Sequence, residues 1–392
     1  MKIRQNNISR VYIHVPFCRV KCDYCTFHSI PSPTKTDIER YLGKLEQDIK
    51  TSAPNTSKLR SLYIGGGTPS YIPTELLSRL FQIIRANFTF SSEAEITVEC
   101  NPDTLTSEKI KIISEHVNRI SIGIQTLNKN HQKTIGRITE LSKLEDIMSS
   151  FHAQNITNLS CDLIFGIPGQ TNKNLQKDME TVVQLPFRHI SAYFLTFEEG
   201  SALTSKYSKK NISSFEHETA YMLKSIPKFL KKNGFARYEI SNYAKPGYEC
   251  SHNYEIWYGD RYMGFGPTAS SFVKNTRTTE KDLDKWQAGA TADIDIISDA
   301  ERTREIIIMG LRTIKGWIID RQREHKVRVS SHLGNDLIID ETNWEPIYDE
   351  LKQLAIDKLI EIVQPPKGKH TKICPTEKGL LFWDEIGMRL LL

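Results

Sequence analysis

At 392 residues, 39% apolar and 25% charged, the chain has the length of two or three domains and the composition of a soluble globular protein with a full core. Its 52 basic against 47 acidic residues (net +5) are too dilute an excess to argue for nucleic acid, and no apolar run approaches the roughly 20 residues that cross a bilayer. The polar start, Met1 to Arg10, lacks the apolar core of a signal peptide, and seven cysteines are too sparse for a disulfide scaffold, so a reduced, cytoplasmic protein is expected.

In chain order, Val11 to Val15 reads as a short apolar strand broken by Pro16. A tight loop then sets Cys18, Cys22 and Cys25 in a C-x3-C-x2-C spacing. Thiolates are soft ligands for zinc, copper(I) or iron–sulfur clusters. A structural zinc site is normally closed by four ligands, and no fourth stands beside these three. Cys100, Cys161, Cys250 and Cys374 are scattered and read as small buried hydrophobes.

A helix capped by Thr36 or Asp37 is expected to run to about Ser52, with Ile38, Tyr41, Leu42, Leu45 and Ile49 on one face. Strands follow at Ser61–Gly65, Glu95–Cys100, Arg119–Ile124, Leu159–Ile164 and Ile190–Leu195. Helices alternate with them at Thr74–Phe88, Ser107–Val117, Lys129–Ile135, Leu141–Gln154, Asn172–Gln184 and about Ser214–Asn233. Six strand–helix units imply parallel strands with helical crossovers. Tyr238–Phe272 lacks clear periodicity, and Lys274–Thr291 is linker-like although Trp286 suggests that it docks. Helices are expected at Ala300–Ile314, Glu345–Leu354 and Glu377–Leu391, with a hairpin between Leu359–Val363 and Lys372–Cys374. The expected division is a barrel over 1–235, an extension and linker over 236–290, and a smaller, mainly helical domain over 291–392.

In such architectures function gathers where the strands end. Strand one ends at the cysteine loop and strand two at Gly65-Gly66-Gly67-Thr68-Pro69-Ser70. Strands three, four and five carry Glu99-Cys100-Asn101-Pro102, Gly123-Ile124-Gln125 and Asp162 with Gly166-Ile167-Pro168. The glycines let a ligand approach the backbone, but no Gly-Lys-Ser/Thr follows, so this is not a phosphate loop. Taken singly, Glu99, Gln125, Arg137 and Asp162 are ordinary salt-bridge or capping residues. Together they can supply carboxylate, amide and guanidinium contacts to a nucleoside amino acid.

The cysteine motif with Tyr24 before Cys25, and the Gly-Gly-Gly-Thr-Pro run, resemble the radical SAM superfamily. The resemblance implies an incomplete (β/α)6 barrel, a [4Fe–4S] cluster on Cys18, Cys22 and Cys25, and S-adenosylmethionine at the open iron. Within it, Tyr12-Ile-His14-Val-Pro16, Glu99-Cys-Asn101-Pro102, Gly123-Ile-Gln125 and Asp162-Leu-Ile-Phe-Gly166-Ile-Pro168 are similar to the oxygen-independent coproporphyrinogen dehydrogenase group. That likeness implies S-adenosylmethionine contacts from Tyr12, Gly66, Gly67, Thr68, Glu99, Gln125, Arg137 and Asp162, with Tyr24 shielding the adenine.

The dehydrogenases carry a further cysteine where this chain has Phe27, and a longer segment before the cluster motif. Both points favour the HemW-type heme chaperones, which share a His-Asn-x-x-Tyr-Trp motif. Here it reads His252-Asn253-Tyr254-Glu255-Ile256-Trp257, with Ile256 replacing tyrosine. The resemblance implies heme on His252, transfer to an acceptor protein, and a possible homodimer. The alternatives are a radical oxidoreductase acting on a porphyrinogen and a zinc-bound structural protein.

Overall fold

The computed structural model describes residues 8–391 apart from 138, 208–215, 322–324 and 365–369. Six strands lie side by side in chain order: β1 (Ile8–Val15), β2 (Thr56–Gly66), β3 (Phe90–Cys100), β4 (Arg119–Gln125), β5 (Leu159–Phe165) and β6 (His189–Phe194). Each pairs in parallel with the next. The sheet stays open. Met263–Phe265 extends it beyond β1, and Asn242–Ala244 adds antiparallel to β6. This is the expected incomplete barrel.

Strand alternation explains its two faces. On β1, Val11, Ile13 and Val15 are buried in one core with Ile38, Tyr41, Leu42, Leu45 and Ile49 of the helix Lys35–Ser52. Arg10, Tyr12 and His14 point the other way, into a polar interior. Buried there, Arg10 meets Ser61 at 3.0 Å, Asp260 at 2.8 Å and the Glu255 carboxylate. On the far side, His189 bridges Ser160 at 2.7 Å and the Tyr238 hydroxyl at 2.9 Å. Buried polar groups must be paired, and these are.

The first helix is capped two or three residues earlier than expected, at Thr34. Thr34 accepts from the Asp37 N–H at 3.2 Å while Asp37 accepts from the Thr34 N–H at 2.9 Å, a reciprocal capping box. The linker-like stretch is structured. Thr276–Thr279 is a strand, Leu283–Gln287 a short helix, and Trp286 is buried with its ring centroid 5.6 Å from that of Tyr41. The last segment carries more sheet than expected. The hairpin of Ile360–Val363 and Thr371–Pro375 belongs to a five-stranded antiparallel sheet with Trp317–Arg321, Lys326–Ser330 and Asp336–Asp340. Helices Asp299–Gly310, Glu341–Ile356 and Trp383–Leu391 pack with it in a second core. That core also takes in Tyr238, Ala244, Tyr254 and Tyr258, which precede the segment in sequence.

Candidate functional site

A cavity of about 740 Å³ opens at the carboxyl ends of the six strands. It is lined by Cys18, Cys22, Tyr24, Cys25, Gly66, Gly67, Thr68, Glu99, Gln125, Arg137 and Asp162, which is every site residue expected from sequence except Tyr12 and His252. The cysteine loop forms one wall. Its backbone is tied by Cys25 N–H to Cys22 O at 3.1 Å and Ser32 N–H to Cys18 O at 2.9 Å. The Cys18 sulfur lies 3.5 Å from the Thr68 hydroxyl, and an Arg137 nitrogen lies 4.0 Å from the Cys22 sulfur. Burial pushes the Cys18 and Cys25 thiols up; hydrogen bonding from Thr68 and the Arg137 charge counter it at Cys18. Among the described residues no three His, Cys, Asp or Glu side chains converge on a single metal ion. Three separated thiols bordering a cavity are the donor set of a multi-iron cluster, and a guanidinium beside them favours thiolate.

The glycine run is shaped by close approach. At Gly66, with φ +106°, a Cβ would stand 2.5 Å from the His14 ring; at Gly67 it would stand 2.8 Å from the Phe17 carbonyl oxygen. The N–H groups of Gly66, Gly67 and Thr68 are committed to Glu99 (3.1 Å), Val15 O (2.8 Å) and Phe17 O (2.7 Å). This loop therefore does not offer those donors to a ligand. The strand end of β4 is also displaced from ordinary backbone, with Gln125 at φ +68°.

Glu99 accepts from the Tyr63 hydroxyl at 2.8 Å, and burial followed by the neighbouring Asp162 charge raises its pKa to about 7. Asp162 is raised as well, by burial, and the Ser121 hydroxyl lies 3.3 Å from it. Arg137 donates to the Gly123 carbonyl at 2.5 Å. The cavity thus combines two buried carboxyls, a guanidinium, an amide and a bare glycine surface beside three thiols. That set fits a cluster together with a ligand bearing both ammonium and carboxylate groups.

Tyr12 is not in the cavity wall. Its hydroxyl lies 3.0 Å from His14 Nδ1, whose Nε2 lies 3.0 Å from the His28 carbonyl, so Tyr12 bears on Gly66 through His14. Sequence reasoning passed over Tyr63, Ser121, Tyr193 and Phe194, all of which line the cavity. Tyr193 and Phe194 end β6, so extending the strand-end rule to the sixth strand finds them. Phe27 lines the rim and is 66% exposed.

Residues 12–182 match the radical SAM superfamily profile. The heme chaperone HemW of Bacillus subtilis is 34% identical over 320 residues, covering 78% of this chain and 83% of that protein. This chain belongs to the HemW family of the radical SAM superfamily. The HemW of Lactococcus lactis is 30% identical over 90% of this chain and 94% of its own. Among solved structures, coproporphyrinogen III oxidase (HemN) from Escherichia coli, a radical SAM enzyme, superposes with a TM-score of 0.81 at 23% identity, covering 99% of this chain and 91% of that one. The superfamily's [4Fe–4S] cluster and S-adenosylmethionine are accordingly this chain's cofactors. Among the described residues no helix is long and apolar enough to cross a membrane.

The HemW-like motif forms a helix, Ser251–Trp257, and its His252 ring stands 5.5 Å from that of Tyr63, which itself lines the cavity. Glu95 of β3 accepts its first N–H groups, from Ser251 at 3.0 Å and His252 at 2.9 Å. His252 is 3% exposed, and its Nδ1 lies 2.8 Å from the Ser61 hydroxyl inside the barrel. Burial, then the charges of Arg10 and Arg119, lower its pKa to about 3. The expected heme ligand is therefore a buried, neutral barrel residue, and a porphyrin has no access to it in this arrangement.

Proposed function

We propose that this chain binds heme and passes it to an acceptor protein in the cytoplasm, as a chaperone whose scaffold carries the cluster and S-adenosylmethionine. The observation that carries this reading is its likeness to the HemW proteins of Bacillus subtilis and Lactococcus lactis over more than four-fifths of their length. Phe27, at the position where the porphyrinogen-oxidising enzymes carry a further cysteine, supports it. Cys18, Cys22 and Cys25 would hold the cluster. Glu99, Gln125, Arg137 and Asp162 would hold the polar groups of S-adenosylmethionine. Tyr24 would shield the adenine, the glycines would admit the ligand close to the strand ends, and Tyr12 would act through His14. When bound, the reduced cluster with S-adenosylmethionine supplies one-electron chemistry. The chain's own part is to exclude water and to hold charge: Glu99 and Asp162 favour an ammonium, and Arg137 favours a carboxylate or thiolate.

Hemin titration of anaerobically reconstituted protein tests the proposal. A saturable Soret band and transfer of heme to an added apoprotein are expected. Incubation with reductant, S-adenosylmethionine and coproporphyrinogen III should yield no more protoporphyrinogen than a cluster-free control. Catalytic protoporphyrinogen formation would establish the oxidoreductase reading instead. A dimeric mass by light scattering would support the homodimer.

A further inference from the structure

With His252 sealed inside the barrel, the iron ligand must be sought among histidines that a flat macrocycle can reach. His14 and His189 are buried with their ring nitrogens engaged, and His116 is stacked on Phe81 at 4.7 Å. His332 differs. It lies in the exposed turn between the strands Lys326–Ser330 and Asp336–Asp340, and among the described residues its ring makes no hydrogen bond.

Its ring is nevertheless held in place. It stands 5.2 Å from the Tyr254 ring and 5.3 Å from the Tyr258 ring, at 50° and 76° to them. Tyr254 meets Trp257 edge-on at 6.4 Å, and Tyr258 meets Trp317 edge-on at 5.0 Å. The motif helix thus divides its work. Its first turn plugs the barrel, and its last turn presents the aromatic base on which His332 rests.

We propose that His332 is the protein's axial ligand to heme iron, oriented by Tyr254 and Tyr258, with Lys315 and Lys372 receiving the propionates. The assignment rests on the heme-chaperone reading and locates its site. Imidazole is a common haem ligand, and it binds iron in its neutral form. Partial burial, followed by the charges of Lys315 and Lys372, lowers the His332 pKa to about 4, so the ring is neutral at pH 7. Sheet register sets Lys372 across from the His332 turn, since Ile318 pairs with both Ser330 and Lys372, and Lys315 lies three residues before Ile318; both ammonium groups are exposed and suited to carboxylates. Leu333, exposed next to His332, adds apolar surface for the macrocycle.

Hemin titrations of the full chain compare wild type with His332→Ala, His252→Gln and His325→Ala, each checked for folding by circular dichroism. His325 is the control for adventitious binding, since its side chain is 91% exposed. His332→Ala should weaken binding at least about tenfold and shift the Soret band, and added imidazole should restore the wild-type spectrum. His252→Gln and His325→Ala should keep the wild-type Soret position. Lys315→Glu with Lys372→Glu should weaken affinity without moving the band. An unchanged spectrum and affinity in folded His332→Ala would overturn the assignment, as would loss of the band only in His252→Gln. Absence of saturable binding by the wild type would overturn the heme reading and this site with it.

Discussion

Burial holds the Glu99 carboxyl at about 7, where an ordinary glutamate titrates near 4.5. The sign of the consequence follows from which state holds the proton. Between these values the folded chain retains a proton that the unfolded chain has lost, so this group lowers stability as pH rises from 4.5 through 7. Glu99→Gln should therefore stabilise the ligand-free protein by up to about 3 kcal/mol at pH 8 and little at pH 4.5, as read from urea midpoints at the two values. S-adenosylmethionine binding should respond in the opposite sense. Its ammonium prefers the carboxylate, so affinity should fall below pH 7 in the wild type and lose that dependence in Glu99→Gln. The cluster loop makes a separate prediction. Replacing Cys18, Cys22 or Cys25 by serine should abolish incorporation of iron and sulfide, measured after anaerobic reconstitution, while far-ultraviolet circular dichroism is retained. Thr68→Val should retain the cluster but lose the contact that favours Cys18 thiolate.

At the scale of elements, the helix Ser251–Trp257 depends on a cap supplied from another strand. Glu95 accepts two of its N–H groups. Loss of a helix cap costs about 0.5–2 kcal/mol, and hydrogen bonds to a charged group about 1.5–3 kcal/mol. Glu95→Ala should accordingly destabilise the protein by about 2–3 kcal/mol. Amide exchange across 251–257 should rise more than exchange across β1–β6. Such a cap is invisible in sequence, because Glu95 and Ser251 are neighbours only once the barrel exists. The six barrel strands were legible because each is a short apolar run between amphipathic helices, and their ends carried chemically distinctive residues. Tyr12 was misplaced because strand alternation turns it to the interior one step below the cavity, with His14 between. The three strands of 317–340 were passed over although Lys326-Val327-Arg328-Val329 alternates, with both valines buried. His252 was legible as a motif residue, but its burial follows from a long-range fit that no local pattern encodes.

Across the whole molecule, the barrel and the C-terminal core are joined through the motif helix. Tyr254 and Tyr258 belong to the second core, while Glu255 turns back to the barrel and pairs with Arg10 and with Arg60 at 3.0 Å. Arg10 is fully buried, and its remaining partners are Asp260 at 2.8 Å and Ser61 at 3.0 Å. Removing one partner of a buried ion pair leaves a charge without compensation, which typically costs about 3–5 kcal/mol. Because Asp260 remains, Glu255→Ala should cost about 2–4 kcal/mol, less than Arg10→Ala, which loses its packing and strands Asp260 while Glu255 keeps Arg60. The two variants should also differ in where the molecule loosens. Glu255→Ala should expose the helix and the C-terminal sheet to amide exchange first, because it cuts the link from one side while β1 keeps its hydrophobic face in the barrel core. If both cores instead melted together at one lowered midpoint, with uniform exchange, the helix would be part of a single cooperative unit rather than a hinge between two.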